Sequence, residues 1–255
     1  MLKLAISLVT VLISFSAVAE KQKVLRIGVE EVSYYPLHNF AEPERPALLR
    51  QVLEAFAHHE NITIEFIPLP IQRFSLWFQE NEIDFRAPDH PSWFADVSPT
   101  LIYSDPIIAL CESTVVLKEN ENKPLDSFKT IGTLHGFTLS KSWMEKEQSQ
   151  QVKKITDPSL RVLTRMLLNG MVEGLNNDIS AVRYEMKQLG HDPDEVTIVN
   201  EPDVGVLSYR ISTQSEAEIL DKFNAFLKNN QPLVQELAEG LPFYTDHPCG
   251  NPIPR

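Results

Sequence analysis

The chain has 255 residues, a formal net charge of −12 and 43% hydrophobic residues. This length allows one large domain or two modest ones, and the near-average composition excludes a disordered or fibrous protein. The acidic balance argues against nucleic acid or an anionic membrane surface as the main partner, because either would need a concentrated basic face. With 9 glycines, about half the usual ~7% share, the chain has little room for a glycine-rich phosphate loop.

The N-terminus has the three parts of a secretory signal peptide. Lys3 gives a positive start, residues 4–15 form a largely apolar run, and Ala17-Val18-Ala19 supplies small residues for cleavage. The run is too short for a membrane-spanning helix, which needs about 20 apolar residues. We therefore predict a signal peptide over residues 1–19, cleavage after Ala19 and a periplasmic mature protein.

The first hundred residues alternate between strand and helix patterns. A strand-length apolar run covers 24–29, and residues 46–59 carry apolar side chains at the i, i+3, i+4 spacing of a helix. Residues 62–67 predict a strand, 71–78 a short helix and 83–85 the next strand. This order is typical of a parallel sheet with crossover helices.

A second unit repeats the alternation. Further strands are predicted at 114–117, 130–134, 172–175, 195–199 and 204–211. Helices are predicted from about Thr138, from Asp157-Pro158 through Leu168 with Asp157 as the N-cap, from Asp178, and as a pair over 216–239. The polar stretch 118–123 is the best linker candidate. These elements predict two α/β lobes, with the chain crossing between them near 112–118 and 200–206.

Export would also permit a disulfide. Cys111 and Cys249 are the only cysteines in the chain, so they are the only pair that could form one. A bridge that closes so long a loop would stabilise the fold by on the order of 4–5 kcal/mol in the loop-closure model. The alternative is one buried thiol and one thiol in a frayed tail.

Five short segments together carry a family resemblance. They are Leu25-Arg26-Ile27-Gly28-Val29, Glu80-x-x-Ile83-Asp84, Tyr103-Ser104-Asp105-Pro106, Ile131-Gly132-Thr133-x-x-Gly136-x-Thr138 and Leu168-x-Gly170-x-Val172. In this order the segments resemble the solute-binding proteins of polar amino-acid ABC transporters, which form family 3 of the periplasmic solute-binding proteins. The resemblance covers most of residues 24–240.

The resemblance implies an α/β fold of the type II periplasmic-binding-protein kind. Such a protein is a two-lobe clamshell that holds its ligand in the cleft, and each lobe is a mixed, mainly parallel sheet flanked by helices. Lobe 1 would comprise residues 20–113 and 204–255, and lobe 2 would comprise 114–203. Both cysteines then fall in lobe 1, which favours the bridge.

The carboxylate-binding arginine of the family is missing. Members of the family place it in lobe 1 between the third strand and the Ser-Asp-Pro element, but residues 87–100 contain no arginine. Arg73 and Arg86 are the nearest candidates to replace it, although arginines on a helix flank or in a strand commonly pair with a neighbouring carboxylate.

The loop after the third predicted strand offers three further candidates. Asp89, His90 and Trp93 lie there, either as site residues or as part of a solvated loop with one tucked aromatic ring. Asp178 follows Gly170 by eight positions, as the family's ammonium-binding aspartate does, at a strand end where an open sheet forms its cleft. Asp178 would also serve as a helix N-cap.

The remaining candidates are a turn and several aromatic residues. Gly136 and Thr138 match the family's Gly-x-Thr, where a hydroxyl and the amides of a helix start can hold an anion; an ordinary turn is the alternative. Aromatic rings suit a ring-bearing or cationic solute, although core packing explains each of them equally well. Those near the expected site are Tyr34, Tyr35 and Tyr103, the last followed by Ser104 of the Ser-Asp-Pro element.

The resemblance implies an exported protein that captures a small polar solute, an amino acid or a related amine or carboxylate, for a membrane ABC permease. One alternative is a sensing module that presents its closed state to a signalling protein. Another is an enzyme resembling the cyclohexadienyl dehydratases, which would need a cleft acid such as Asp178 or Glu173 with a raised pKa. We expect a monomer without cofactor, metal or nucleic acid.

Overall fold

The computed structural model describes residues 23–93, 101–200, 205–246 and 249–254. The predicted signal peptide and its cleavage site lie outside these ranges and stay a prediction. None of the helices in the described ranges is long and apolar enough to cross a lipid bilayer.

Strands and helices alternate along the described chain. The strands are β1 (Val24–Glu30), β2 (Thr63–Leu69), β3 (Phe85–Asp89), β4 (Ile102–Tyr103), β5 (Ile108–Glu112), β6 (Thr114–Leu117), β7 (Thr130–Leu134), β8 (Lys153–Asp157), β9 (Leu175–Asn176), β10 (Val196–Ile198) and β11 (Gly205–Thr213). The α-helices are α1 (Leu48–Glu60), α2 (Trp77–Glu80), α3 (Lys141–Gln148), α4 (Leu160–Leu168), α5 (Ile179–Gln188), α6 (Ala217–Asn229) and α7 (Gln231–Glu239).

The strands form two mixed sheets. The first has the order β2-β1-β3-β11-β4, with β5 also paired to β11, and the second has the order β10-β6-β9-β7-β8. We call the first sheet and the helices packed on it lobe 1, and the second sheet with its helices lobe 2. The predicted two-lobe α/β fold with mixed sheets is confirmed.

Each sheet combines parallel and antiparallel strand pairs. In lobe 1, β1 runs parallel to β2 and β3, but β11 runs antiparallel to β3, β4 and β5. In lobe 2, β7 runs parallel to β8 and β9, whereas β6 runs antiparallel to β9 and β10. The antiparallel pairs arise because β6 and β11 carry the chain into and out of lobe 2.

The chain crosses from lobe 1 to lobe 2 within a single residue. β5 ends at Glu112 and β6 begins at Thr114, so Ser113 alone separates the two sheets. The return strand begins at Gly205, which pairs with Glu112. Residues 201–204 of the second predicted crossing lie outside the described ranges, and the exact limits of the lobes stay a prediction.

Apolar periodicity explains the long helices. In α1 the buried side chains include Leu48, Leu49, Val52 and Phe56, at the predicted spacing. Phe56 packs edge-to-face against Phe223 of α6, with ring centroids 5.0 Å apart. This contact fixes two helices of lobe 1 against each other.

The N-cap of α4 differs from the prediction. Ser159, not Asp157, is the cap, and its Oγ accepts a hydrogen bond from the Val162 N–H at 3.4 Å. Asp157 instead ends β8, and its Oδ1 accepts from the Ser159 N–H at 2.8 Å. The sequence pattern did not predict β8, so Asp157 was assigned to the start of α4 instead of to the end of β8.

Other local predictions are corrected by strand pairing. β3 starts only at Phe85, where pairing with β1 begins, rather than at residue 83. The stretch 118–123 opens with a short 3-10 helix, Lys118–Asn120, between two strands of lobe 2, and is therefore not a linker between lobes. β2 continues past the predicted end at residue 67 and includes Pro68. A proline is tolerated there because β2 is an edge strand, in which the missing backbone N–H can be on the side without a neighbouring strand.

The predicted disulfide between Cys111 and Cys249 is present, with the two Cα atoms 5.6 Å apart. It attaches the C-terminal tail to β5, where the Ala109 N–H also donates to the Pro252 carbonyl. Upstream of the bridge, the tail contacts lobe 2. The Tyr244 N–H donates to Ser180 Oγ at 3.1 Å, and Arg183 pairs with Asp246 at 2.6 Å. The tail thus runs across both lobes.

Candidate functional site

A cavity of about 340 Å³ lies between the two sheets. This volume falls within the range of small-molecule sites. Lobe 1 contributes to the lining, among others, Glu30, Tyr34, Phe74, Trp93, Leu110 and Tyr209. Lobe 2 contributes, among others, Phe137, Thr138, Leu139, Met144, Asn176 and Asp178.

Strand ends position the polar lining. Glu30 is the last residue of β1, and Asp178 follows β9 by two residues. The segment containing Gly136 and Thr138 follows β7. Carboxyl ends of parallel strands form the usual ligand crevice of open α/β sheets. The cavity therefore occupies the place that the sheet topology provides for a ligand.

Asp178 joins the lobes as well as lining the cavity. It is buried, and its Oδ1 accepts from the Ser180 N–H at 2.8 Å, so it is the N-cap of α5 as predicted. Its Oδ2 accepts from the Cys111 N–H of lobe 1 at 3.0 Å. Asp178 thus caps α5 and contacts lobe 1 from a position in the cavity lining.

Tyr34 lies against Asp178 from the lobe 1 side. Its hydroxyl oxygen accepts from the Asp178 N–H at 2.5 Å, and its ring meets Phe137 of lobe 2 edge-to-face at 5.3 Å. Burial raises the pKa of Tyr34 well above the ordinary value, and the negative charges of Asp178 and Glu30 contribute to the rise. The hydroxyl therefore stays neutral and remains able to donate a hydrogen bond.

Glu30 is a buried acid in the cavity wall that the sequence analysis missed. Its Oε2 lies 3.1 Å from Nε2 of the buried His38, but this oxygen makes no hydrogen bond to any described residue. An imidazole carries charge only when it is protonated. The rule that pointed to Asp178, a carboxylate at the end of a strand, would have found Glu30.

Two more lining residues carry buried polar atoms without hydrogen bonds. Ser113 Oγ and Asn177 Oδ1 have no hydrogen-bond partner among the described residues, and both residues line the cavity. Buried polar atoms in proteins are normally paired, with protein or with ordered water. Residues with such unpaired atoms therefore lie in the wall of the cavity.

Arg86 and Asp89 do not line the cavity. Arg86 is buried and donates through Nε to Asp89 Oδ2 at 2.8 Å and through Nη1 to the Phe74 carbonyl at 2.9 Å. Asp89 also accepts from the Ser212 hydroxyl and from the His90 N–H. Burial raises the pKa of Asp89, and the charge of Arg86 opposes that rise. The pair satisfies itself inside lobe 1.

Arg73 lies on the surface. Its guanidinium pairs with Glu80, and the Arg73 side chain is 60% exposed. Arg73 and Arg86 were the candidates to replace the missing arginine. Each of them pairs with a neighbouring carboxylate away from the cavity, as arginines on a helix flank or in a strand commonly do.

Trp93, in the loop after β3, lines the cavity. Trp93 packs edge-to-face with Tyr209 at 5.9 Å and with Phe74 at 6.0 Å. His90 does not line the cavity, and its Nδ1 lies 2.7 Å from Ser92 Oγ. Burial lowers the pKa of His90. Residues 94–100 of the loop lie outside the described ranges.

Tyr35, Tyr103 and Ser104 lie away from the cavity. The Tyr35 ring packs against Tyr184 of α5 at 4.5 Å. Burial raises the pKa of Tyr103, which also contacts Arg86. Ser104 Oγ donates to the Asp105 carbonyl and accepts from the Ile211 N–H, so it holds the backbone of lobe 1.

Gly136 and Thr138 line the cavity, but they are not at a helix start. α3 begins only at Lys141, so the predicted helix-start anion site is wrong in its helix boundary. Gly136 has φ +92°, a conformation that L side chains rarely adopt, and a Cβ there would collide with Ile71 of lobe 1. The glycine permits close approach of the lobes.

The lobes also meet at a distance from the cavity. Arg45, in the loop before α1, donates to the Tyr184 hydroxyl and pairs with Glu42. Its guanidinium lies 5.6 Å from the Tyr35 ring centroid and 5.5 Å from that of Tyr184. Together with the Tyr34–Asp178 and Ile71–Gly136 contacts, this places the two lobes in contact around the cavity.

Glu173 is not a cleft acid. It pairs with Lys123 at 2.6 Å and accepts from the backbone N–H groups of Lys129 and Thr130. Burial acts to raise its pKa, but the hydrogen bonds from Lys123 and the two backbone amides lower the pKa below the ordinary value. A general acid would need the opposite shift.

No protein-family model and no curated protein matches the sequence. Solved structures do match its fold. An ancestral arginine-binding protein bound to arginine is 21% identical with a TM-score of 0.69, covering 86% of this chain and 98% of its own. The substrate-binding protein of an amino acid ABC transporter is 17% identical with a TM-score of 0.65, covering 86% and 98%.

A third structure has a different role. A histidine kinase sensor domain with similarity to periplasmic binding proteins is 13% identical with a TM-score of 0.69, covering 86% of this chain and 96% of its own. At these identities the likeness concerns the fold. The chain therefore has the two-lobe type II fold of the periplasmic amino-acid-binding proteins, and the resemblance found in its sequence is confirmed at that level.

Proposed function

We propose that the mature protein is a periplasmic solute-binding protein that captures one small polar solute in the cavity between its lobes. The observation that carries this proposal is the cavity itself. The two lobes are in contact around it, and the residues that line it include two buried acids, Glu30 and Asp178, and residues with buried polar atoms that have no hydrogen-bond partner in the described part of the chain. A solute that pairs with these groups would stabilise the closed state over an open one.

The direct test is a binding screen with the chain starting at Glu20. Thermal unfolding and native mass spectrometry would be run with amino acids, amines, small carboxylates and neutral polar solutes. A ligand at 100 times its Kd should add about 2.7 kcal/mol to the free energy of unfolding. Binding should disappear or weaken in Glu30→Gln and stay unchanged in Asp126→Asn, which alters an exposed ion pair with Lys146. No response to any solute would refute capture.

Delivery to an ABC permease is our first proposal for the partner, and contact with a sensor protein is the second. The fold is shared by a transporter component and by a kinase sensor domain, so it supports either. Uptake of the labelled ligand by cells with and without the gene separates the two. Loss of uptake supports transport, whereas normal uptake with an altered transcriptional response to the ligand supports sensing.

Catalysis of the dehydratase kind has weaker support. Glu173 lies outside the cavity lining and has a lowered pKa, and both oxygens of Asp178 already accept backbone hydrogen bonds. We therefore propose binding without turnover. Incubation of the protein with each ligand found, followed by product analysis, would detect an enzyme.

A further inference from the structure

Three residues of the cavity lining carry a side-chain oxygen that lacks a hydrogen-bond partner among the described residues. Glu30 Oε2 and Asn177 Oδ1 can only accept, and Ser113 Oγ can accept or donate. All three atoms are buried and make no hydrogen bond to described residues. A molecule that satisfies them must bring donors, and an ammonium group brings three.

The residues that carry these acceptors lie around Tyr34. The Tyr34 hydroxyl accepts from Asn177 Nδ2 at 3.5 Å and from the Asp178 N–H at 2.5 Å. The His38 ring, whose Nε2 is 3.1 Å from Glu30 Oε2, lies 5.5 Å from the Tyr34 ring. Ser113 is tied to the same region, since its carbonyl accepts from Asn176 at 3.1 Å. Two acidic residues, Glu30 and Asp178, and two neutral polar residues, Ser113 and Asn177, thus line the cavity near Tyr34. Negative charge collected in this way favours a cation.

The described part of the lining contains no arginine and no buried lysine to pair with a carboxylate. Residues 87–100 contain neither arginine nor lysine. Arg73 and Arg86 pair with Glu80 and Asp89 outside the cavity. Among the described lining residues, Lys141 is the one lysine or arginine, and it is exposed to solvent. An exposed lysine is a weak substitute for a buried bidentate arginine.

The rest of the described lining is rich in apolar and aromatic groups. Phe74, Trp93, Phe137 and Tyr209 bring rings to the wall, and Leu110 and Leu207 add aliphatic surface. Aromatic faces bind cations as well as apolar groups. This wall fits a ring or a hydrocarbon chain carried by the cation.

We infer that the ligand is an organic amine without a carboxylate, whose ammonium binds among Glu30, Ser113, Asn177 and Asp178 and whose apolar body packs on Phe74, Trp93 and Tyr209. This inference rests on the proposed function and narrows its solute class. It separates this cavity from one built for an amino acid, which must hold both an ammonium and a carboxylate.

Three compounds that share one ring and chain test the inference. Phenethylamine carries only the amine, phenylalanine carries both groups, and 3-phenylpropionate carries only the carboxylate. Agmatine and arginine form a second matched pair with a longer cationic body. Titration calorimetry should show the amine of at least one set binding at least tenfold more tightly than the amino acid, with no binding of 3-phenylpropionate.

Charge-removing variants of two acidic residues give the matched control. Glu30→Gln should weaken amine binding at least tenfold, whereas Asp126→Asn, in an exposed ion pair outside the cavity lining, should leave it unchanged. Both variants would be checked for unaltered thermal unfolding without ligand. Equal or tighter binding of the amino acid, or unchanged amine binding in Glu30→Gln, overturns the inference.

Failure of the inference is distinguishable from failure of the proposed function. If none of the amines binds but a neutral or carboxylate solute from the broad screen does, the inference is wrong and solute capture stands. If no solute of any class binds, both are wrong.

Discussion

Glu30 and Asp89 end neighbouring parallel strands of lobe 1, and both side chains are almost completely buried. Asp89 is held by the Arg86 guanidinium and by hydrogen bonds from Ser212 and His90. Glu30 lines the cavity, and its ion-pair neighbour in the described part of the chain is the imidazole of His38, not a guanidinium. In both cases a strand end places a carboxylate, but the neighbouring side chains decide whether the carboxylate is paired inside the lobe or lies in the wall of the cavity.

The largest expected effect comes from breaking the self-satisfied pair. Arg86→Met would leave Asp89 buried without its cation, so the free energy of unfolding should fall by about 3–5 kcal/mol. Urea denaturation measures the loss. The double variant Arg86→Met with Asp89→Leu should recover part of it, because no isolated charge remains. A single-variant loss below about 1 kcal/mol would contradict the role given to this pair.

Asp178→Asn should have an intermediate effect on stability. Both oxygens of Asp178 accept backbone N–H groups, so the amide nitrogen of asparagine would face a donor at one of them. Leaving one donor unsatisfied costs about 1–3 kcal/mol. The control is Asp192→Asn at an exposed N-cap, where asparagine caps as well as aspartate and urea denaturation should show little change. Equal effects of the two variants would remove the interlobe contact as the cause.

Glu30→Gln should separate binding from folding. Glutamine keeps the shape and an acceptor oxygen but removes the charge, so ligand affinity should fall at least tenfold, about 1.4 kcal/mol. The free energy of unfolding without ligand should not fall, because removing a buried charge relieves its desolvation. Calorimetric titration and urea denaturation on the same preparation check both statements. A variant that loses stability instead of affinity would place Glu30 in the same class as Asp89.

The smallest effect is expected at the exposed arginine. Arg73→Met breaks the surface pair with Glu80, and such pairs contribute about 0–1 kcal/mol. Thermal and urea unfolding should therefore match the wild type closely, and ligand affinity should be unchanged. A large loss of affinity here would show that Arg73 reaches the ligand after all.

Much of the fold could be predicted from periodicity. The apolar spacing gave α1, and alternating strands and helices gave the two-lobe organisation, because burial of one face imposes those periods. Asp178 could be found because its position follows from a strand end and a helix start. The missed strand β8 and the late start of α3 reflect pairing and packing partners that lie far away in the sequence.

The site was less accessible to sequence reasoning than the fold. Five of the twelve predicted ligand-site residues, Tyr34, Trp93, Gly136, Thr138 and Asp178, line the cavity. Arg86 and Asp89 do not line the cavity because they form an ion pair with each other. The two residues are three positions apart, and the sequence alone does not show that they pair. Glu30 could have been proposed because it ends β1, but only the structure shows that its neighbour is an imidazole and not a guanidinium.

The bridge between Cys111 and Cys249 turns the middle of the chain into a covalent ring. The two cysteines are 138 positions apart, and every described strand of lobe 2 lies between them. A single proteolytic cut at an exposed turn of lobe 2, such as Ser149–Gln150, would therefore open the ring without releasing a fragment. On a denaturing gel without reductant the nicked protein would run as one species. With a reductant it would run as two fragments.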